Sequence, residues 1–488
     1  MIRGAVLCLI AAGADAQPQF QNHSEDLPRH VYSGGWEHFV GGGVAVFDCD
    51  GDARPDIFAA GGDSPAVLLR NLGGFRFAPV PLESLTGVTG AYPLDLDADG
   101  WMDLYVLRVG PDRILRGGPD CRFADGGADW GLPHSDQWST AFSAWWVDDG
   151  RTHMAVGHYV DRTNPDGPFG ACDSNALLIP DATGYRAEIL APGFCSLSML
   201  AARDARGRAT LRISNDRHYY VTGGYEQMWD IGLGRFLEPR DGWEKVSLWG
   251  MGIASRDLTG DGRPEVMLTS MGDQLLQVAQ ADGSYSGAPY ALGTYATRPH
   301  TGDDGRPSTG WHAQFGDVDN DGRADLFIAK GNVDQMPGMA MQDPNNLLMQ
   351  QPDGRFVEMA GTAGVGSVAR SRGAALVDFD GDGRLDLLVS NRRAPLELYR
   401  NVTADTGNWL QVALVQPGGN RNAVGALVTV NGQVQEITVG GGHAGGQAVP
   451  LHFGLGAATH AEVSVIWPDG TGSAEQVQAG QVITLFHP

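Results

Sequence analysis

The chain has 488 residues, enough to bury a large core but too many for one compact domain unless it is an array of repeats. With 58 acidic residues against 34 basic ones, its net charge of -24 makes nucleic acid and anionic membrane surfaces poor partners. Its 70 glycines follow no triplet period, which calls for many turns and excludes collagen.

Residues 1–16 read as a secretory signal: a basic Arg3, an apolar run from Gly4 to Gly13, and a small-x-small Ala14-Asp15-Ala16 before Gln17 as the mature start. No later stretch approaches the length of a membrane span, so a soluble secreted or periplasmic protein is expected. Removing the signal takes Cys8 and leaves Cys49, Cys121, Cys172 and Cys195, an even number that suits an oxidising compartment. Three pairings are possible. The natural one joins Cys172 to Cys195 across a loop worth roughly 3.4 kcal/mol in chain entropy, leaving Cys49 and Cys121 as a second bridge or as free buried thiols.

From residue 48 onward one acidic pattern recurs five times, with carboxylates or their equivalents at positions one, three, five and nine. The copies are Asp48, Asp50, Asp52 and Asp56; Asp95, Asp97, Asp99 and Asp103; Asp257, Thr259, Asp261 and Glu265; Asp317, Asp319, Asp321 and Asp325; Asp378, Asp380, Asp382 and Asp386. Carboxylates wrapped into one such loop sit about 5 Å apart, and each like-charged pair costs roughly 3 kcal/mol at an effective dielectric of about 20. The loop therefore calls for a cation. Flexible oxygen ligands in this number suit calcium, whereas magnesium demands a tight octahedron and zinc prefers nitrogen or sulfur. Glycine stands at position six in four copies (Gly100, Gly262, Gly322, Gly383), where a sharp bend is needed, and Ala53 replaces it in the first. The flanking runs GVAVF, DLYVL, GAALV and DLLVS read as strands, which excludes the helix-flanked EF-hand and makes each loop a hairpin tip.

Each loop and its second strand lead into a third strand, a glycine turn and a fourth strand opening on Arg-Phe, as in LLRNLGGFRF at 68–77 and NLLMQQPDGRF at 346–356. The gap between Asp95 and Asp257 fits three units, and two decayed copies lie within it. One is Trp145-Trp146-Val147-Asp148-Asp149-Gly150. The other is Ala201-Ala202-Arg203-Asp204-Ala205-Arg206-Gly207-Arg208, with Arg206 and Arg208 in place of the carboxylates at positions three and five, so a guanidinium can supply the missing positive charge. Both are expected to be metal-free. Seven four-stranded units imply a closed seven-bladed β-propeller spanning 17–404, since no single unit can cover both its faces. The last unit lacks its fourth strand, which the segment between Gln17 and Phe39 is expected to supply. From 405 to 488 the repeat register stops, and NWLQVALV, AVGALVTVNG, VSVIWPDG and QVITLF predict a separate small β-sandwich or barrel.

The loops DCDGDARPDIF, DLDADGWMDLYV, DLTGDGRPEVML, DVDNDGRADLFIA and DFDGDGRLDLLV resemble FG-GAP or VCBS repeats of the integrin-α type. The tail, with NWLQVAL, NRNAVGALVTV, LHFGLG and VIWPDGT, resembles the ASPIC and UnbV domain. Together they are similar to the cartilage acidic protein family. That resemblance implies a secreted calcium-binding propeller associated with extracellular matrix or cell-surface interaction.

The function expected is thus binding of an extracellular or periplasmic glycan or protein partner, with about five structural Ca2+ ions. The rival is a polysaccharide-active enzyme at one mouth of the propeller. Trp249 and Trp311 would stack on sugar rings there, and His158, Asn215, Asp216, Asn332, Asp334, Asn391 and Arg392, which follow second strands, would converge. The blander reading packs the tryptophans between blades and uses the polar residues to end strands. No Ser-His-Asp order, zinc box or phosphate loop stands out, and the glycine run at 440–446 follows no strand-to-helix pattern. His300, His312, His443, His452 and His460 read as surface or core histidines.

Overall fold

A computed structural model describes residues 16–133, 136–147, 150–164, 171–216, 224–302 and 305–488. The signal segment before residue 16, and Asp148 and Asp149 of the third unit, lie outside these residues. The short alternating runs form antiparallel strands that sort, over most of the chain, into seven propeller sheets. In the first six the sheet order follows the chain: blade one runs Val44–Phe47, Asp56–Ala59, Val67–Asn71, Phe77–Val80, and blade six runs Gly310–Gly316, Asp325–Lys330, Asn346–Gln350, Phe356–Glu358.

Blade seven takes Ser371–Val377, Asp386–Asn391 and Glu397–Asn401 from the end of the array and its outer strand, Phe20–Asn22, from the start. Phe20 lies opposite Asn401 in an antiparallel ladder, which is the closure expected from the missing Arg-Phe strand. Sheet packs on sheet around the ring. Val46, Ile57 and Leu69 of blade one meet Ala375, Val377 and Leu398 of blade seven, and Ala155 and Leu177 of blade three meet Met199 and Ile213 of blade four. Both disulfides cross between neighbouring blades, Cys49 to Cys121 and Cys172 to Cys195, each with a Cα separation of 4.8 Å.

The tail is a two-sheet sandwich. Leu451–Gly456, Asn408–Val415 and Gln481–Phe486 face Gln433–Glu436, Leu427–Val430, His460–Ile466 and Gly472–Gln478 across a core of Leu410, Val412, Val428, Val463 and Trp467. From it the glycine run leaves the sandwich and enters the axis of the ring. Val439 bridges to Ala144 of blade three, Gly440 to Leu200 of blade four, Gly442 to Ile253 of blade five and Gly445 to Ala91 of blade two. The His443 N–H donates to Nδ1 of His312 in blade six at 3.1 Å, and Gln447–Ala448 adds a short parallel strand to blade one. Glycines on both sides allow this approach: a Cβ on Gly445 of the run would lie 2.2 Å from the Val44 carbonyl oxygen, and one on Gly43 or Gly90 of the blades 1.8 or 1.6 Å from that of Ala444. The glycine run is the plug of the propeller.

Candidate metal centres

Each acidic loop joins the first strand of a blade to the second, so the tips share one face of the ring. The first carboxylate organises the bend. Asp48 accepts the N–H groups of Gly51 and Ala53, both at 2.8 Å, Asp257 those of Gly260 and Gly262 at 2.8 Å, and Asp378 those of Gly381 and Gly383 at 2.8 and 2.9 Å. The sixth residue takes a left-handed conformation in all five loops, φ being 94°, 79°, 93° and 84° at Gly100, Gly262, Gly322 and Gly383 and 63° at Ala53. The alanine bears this at a cost of roughly 1–2 kcal/mol.

The ninth residue has work of its own, which the spacing alone did not reveal. Asp56 accepts from Cys49 N at 2.8 Å and Asn71 N at 2.7 Å, tying the loop to the third strand. Asp103 does the same with Leu96 and Gly117, Glu265 with Leu258 and Ala279, Asp325 with Val318 and Gln350, and Asp386 with Phe379 and Asn401.

Carboxylate oxygens gather within 4.8 Å of one another in four loops: Asp48, Asp50 and Asp56; Asp95, Asp97 and Asp99; Asp317, Asp319 and Asp325; Asp378, Asp380 and Asp386. In the loop of Asp257, Thr259, Asp261 and Glu265 no three carboxylates come together this way. Several gathered oxygens are buried without a hydrogen-bond donor. The Asp50 side chain is 3% exposed and the Asp380 side chain 8%, yet Oδ1 of Asp50, Oδ1 of Asp380 and Oδ1 of Asp95 accept no hydrogen bond. A buried carboxylate oxygen without a donor costs free energy that a hard cation would recover. An all-oxygen set of this kind fits calcium. Burial, reinforced by neighbouring carboxylates, pushes Asp56 and Asp103 up to about 7, Asp95 and Asp378 up to about 6 and Glu265 up to about 7, and raises Asp317, Asp325 and Asp386 well above the usual carboxylate range.

The repulsion expected within each loop is answered partly by the chain itself, so closure does not depend on a cation alone. Arg54, Arg263, Arg323 and Arg384, all at position seven, pair with the fifth carboxylates Asp52, Asp261, Asp321 and Asp382. Third-strand arginines reach the third carboxylates: Arg70 pairs with Asp50, Arg116 with Asp97 at 2.9 Å and Arg400 with Asp380 at 2.6 Å. In the decayed fourth unit Arg208 holds Asp204 at 2.7 Å, as the sequence implies. Arg206 does not join it and donates instead to the Asp241 carbonyl at 3.1 Å.

The residues offered for a catalytic mouth are internal braces. Trp311 is fully buried beneath the Arg372 guanidinium, 3.9 Å from its ring, and donates to the Gly331 carbonyl. Trp249 packs into the same apolar cluster. His158 bonds the Ser174 carbonyl, Asn215 the Tyr225 carbonyl, Asn332 the Met336 carbonyl and Asn391 the Pro395 carbonyl, while Asp216 accepts the Tyr159 hydroxyl. Arg392 donates to the His38 and Gly34 carbonyls, and Asp334 pairs with Arg393 at 3.0 Å. Burial lowers His312 to about 4 and His443 and His452 to about 3, keeping all three neutral and structural. His300 lies beside Glu358 at 3.3 Å, and His460 is exposed at the start of a sandwich strand.

The FG-GAP-like repeat family matches residues 48–106 and 257–328, and the ASPIC and UnbV family matches 416–488. The chain is similar to cartilage acidic protein 1 of Homo sapiens, 28% identical over 182 residues, which is 35% of this chain and 27% of the relative. It is 25% identical over 251 residues to cartilage acidic protein 1 of Mus musculus, covering 49% of this chain and 37% of the relative. The chain thus spans well under half the length of these relatives. Among solved structures, BBS1N in complex with ARL6DN aligns at a TM-score of 0.46 and 11% identity, over 79% of this chain and 96% of that one.

Proposed function

We propose that this chain is an exported, calcium-binding propeller that holds a glycan or protein partner outside the cytoplasm, with calcium in a structural role at the five acidic loops. The observation that carries the reading is the convergence of buried carboxylate oxygens at the hairpin tips, among which Oδ1 of Asp50, Asp95 and Asp380 accepts no hydrogen bond. The similarity to cartilage acidic protein 1 and the two inter-blade disulfides support export. With the axis filled by the tail and the polar residues of the far mouth engaged in bracing, the surfaces open to a partner are the outer rims of the blades and the uncovered tips.

A glycan array probed with the chain in calcium and in chelator tests this, paired with a depolymerisation assay on the same polysaccharides. Calcium-dependent retention without product formation is the expected result. Depolymerisation would replace the reading with the enzymatic one.

A further inference from the structure

The C-terminal sandwich does not sit on the acidic face evenly. It covers the loops of blades six and seven, and its other end reaches blades two, three and four through Arg421 beside Gly100, Gly419 against Trp146 and Glu436 against Arg203. Asp317, Asp319 and Asp325 are 1%, 3% and 1% exposed and Asp378 is 7% exposed; Asp95 of blade two is buried as well, at 2%, but Asp97 and Asp99 beside it, Gly51 and Ala53 of blade one, and Thr259 and Asp261 of blade five are exposed.

The covering contacts reach the carboxylates and the loop backbone directly. Gln411 donates its Nε2 to Asp378 Oδ2 at 2.8 Å, orienting the first carboxylate of blade seven from outside. Gly454 lies so close to Asp317 that a Cβ there would come within 1.9 Å of Oδ2. The hub is Asn320, at position four of the blade-six loop. Its carbonyl accepts the Gly456 N–H at 2.8 Å, its Oδ1 meets His452 Nε2 at 2.7 Å, and its Nδ2 donates to the Gly383 carbonyl of the blade-seven loop at 2.9 Å.

We propose that calcium at blades six and seven is held beneath the C-terminal sandwich, so that its release and the unseating of that domain are linked, while the tips of blades one and five exchange freely. The proposal rests on the calcium reading above. A cation drawing Asp317 and Asp378 into place fixes the surface that Gly454 and Gln411 dock on, and the docked domain bars the way out. By reciprocity, whatever strengthens docking raises the calcium affinity of these loops by the same factor.

The test is stopped-flow release of calcium from the full chain into a fluorescent chelator, with hydrogen exchange of residues 451–456 followed in the same samples. Release is expected in two phases, the slow one accompanied by deprotection of that segment. Asn320→Gly keeps the left-handed backbone, since glycine stands at position four in three other loops (Gly51, Gly260, Gly381), and removes the side-chain bonds. It is expected to speed the slow phase by at least about tenfold and leave the fast phase unchanged. Gln411→Ala is expected to act in the same direction, and retention of the wild-type melting profile in each variant shows that it has folded. Release in one uniform phase, or a slow phase indifferent to both variants, overturns this proposal alone. A chain that takes up no calcium overturns the calcium reading and this proposal with it.

Discussion

The carbonyl oxygen of Ala444 is wedged between two blades, against the α-carbon of Gly90 in blade two and that of Gly43 in blade one. A methyl group on Gly90 would fall 1.6 Å from that oxygen. Neither backbone can yield, because the plug is also bridged to blades three, four and five. Gly90→Ala is therefore expected to destabilise the chain by about 3 kcal/mol or more and to unseat the tail. Limited proteolysis checks this: cleavage between the propeller and residues 408–488 should appear in the variant and not in the parent.

Removing calcium is expected to lower the melting temperature. A dissociation constant near 10⁻⁴ M in about 1 mM calcium gives roughly 1.4 kcal/mol per loop, so five loops give on the order of 7 kcal/mol. For a chain of this size that corresponds to about 7 °C. Asp380→Asn should remove about one fifth of the calcium-dependent part and almost nothing in chelator, as differential scanning calorimetry in the two buffers will show.

The dependence on pH follows from the raised carboxylates. Asp56, Asp103 and Glu265 titrate near 7 in the folded chain, well above their unfolded values. Between about pH 4 and about pH 7 the folded state then binds more protons than the unfolded one. Their contribution to stability is present below about pH 4 and is lost as the pH rises through 7. In chelator the melting temperature should fall across this window. Calcium needs the deprotonated carboxylates, so the increment it adds should grow over the same window and oppose the fall. A calcium increment that shrinks as the pH rises would contradict the assignment.

Reducing the disulfides should weaken the first loop in particular, because Cys49 is its second residue and its N–H is held by Asp56. The Cys49–Cys121 bridge, with a sequence separation of 72, is worth about 4 kcal/mol in the chain-entropy model. Cys49→Ser with Cys121→Ser should lower the melting temperature and the calcium affinity of one class of site while the other loops keep theirs, as calorimetric titration will report.

Much of this architecture was legible because it is written locally. The spacing of Asp48, Asp95, Asp257, Asp317 and Asp378 counts the blades, and the lost Arg-Phe strand after Asn401 points to the N-terminal strand that replaces it. The plug was not legible, since residues 439–448 have no period of their own and pair through backbone atoms with strands up to about 400 residues away. Glycine there answers to the crowding of neighbours the local sequence does not name. The loops were read as carboxylates alone, and the arginines that temper them were missed for two different reasons. Arg54, Arg323 and Arg384 sit inside the motif at position seven and pass for ordinary surface charges. Arg70 and Arg400 approach from the third strand, and only the hairpin geometry brings them to Asp50 and Asp380.

Oxygen cages at the hairpin tips hold the calcium. Anomalous diffraction from crystals grown in excess calcium tests this most directly. Peaks bounded by Asp48 and Asp50, by Asp95 and Asp97, by Asp257 and Asp261, by Asp317 and Asp319, and by Asp378 and Asp380 are the predicted result, with none at Asp204. Tips without anomalous density in a well-ordered propeller would contradict it.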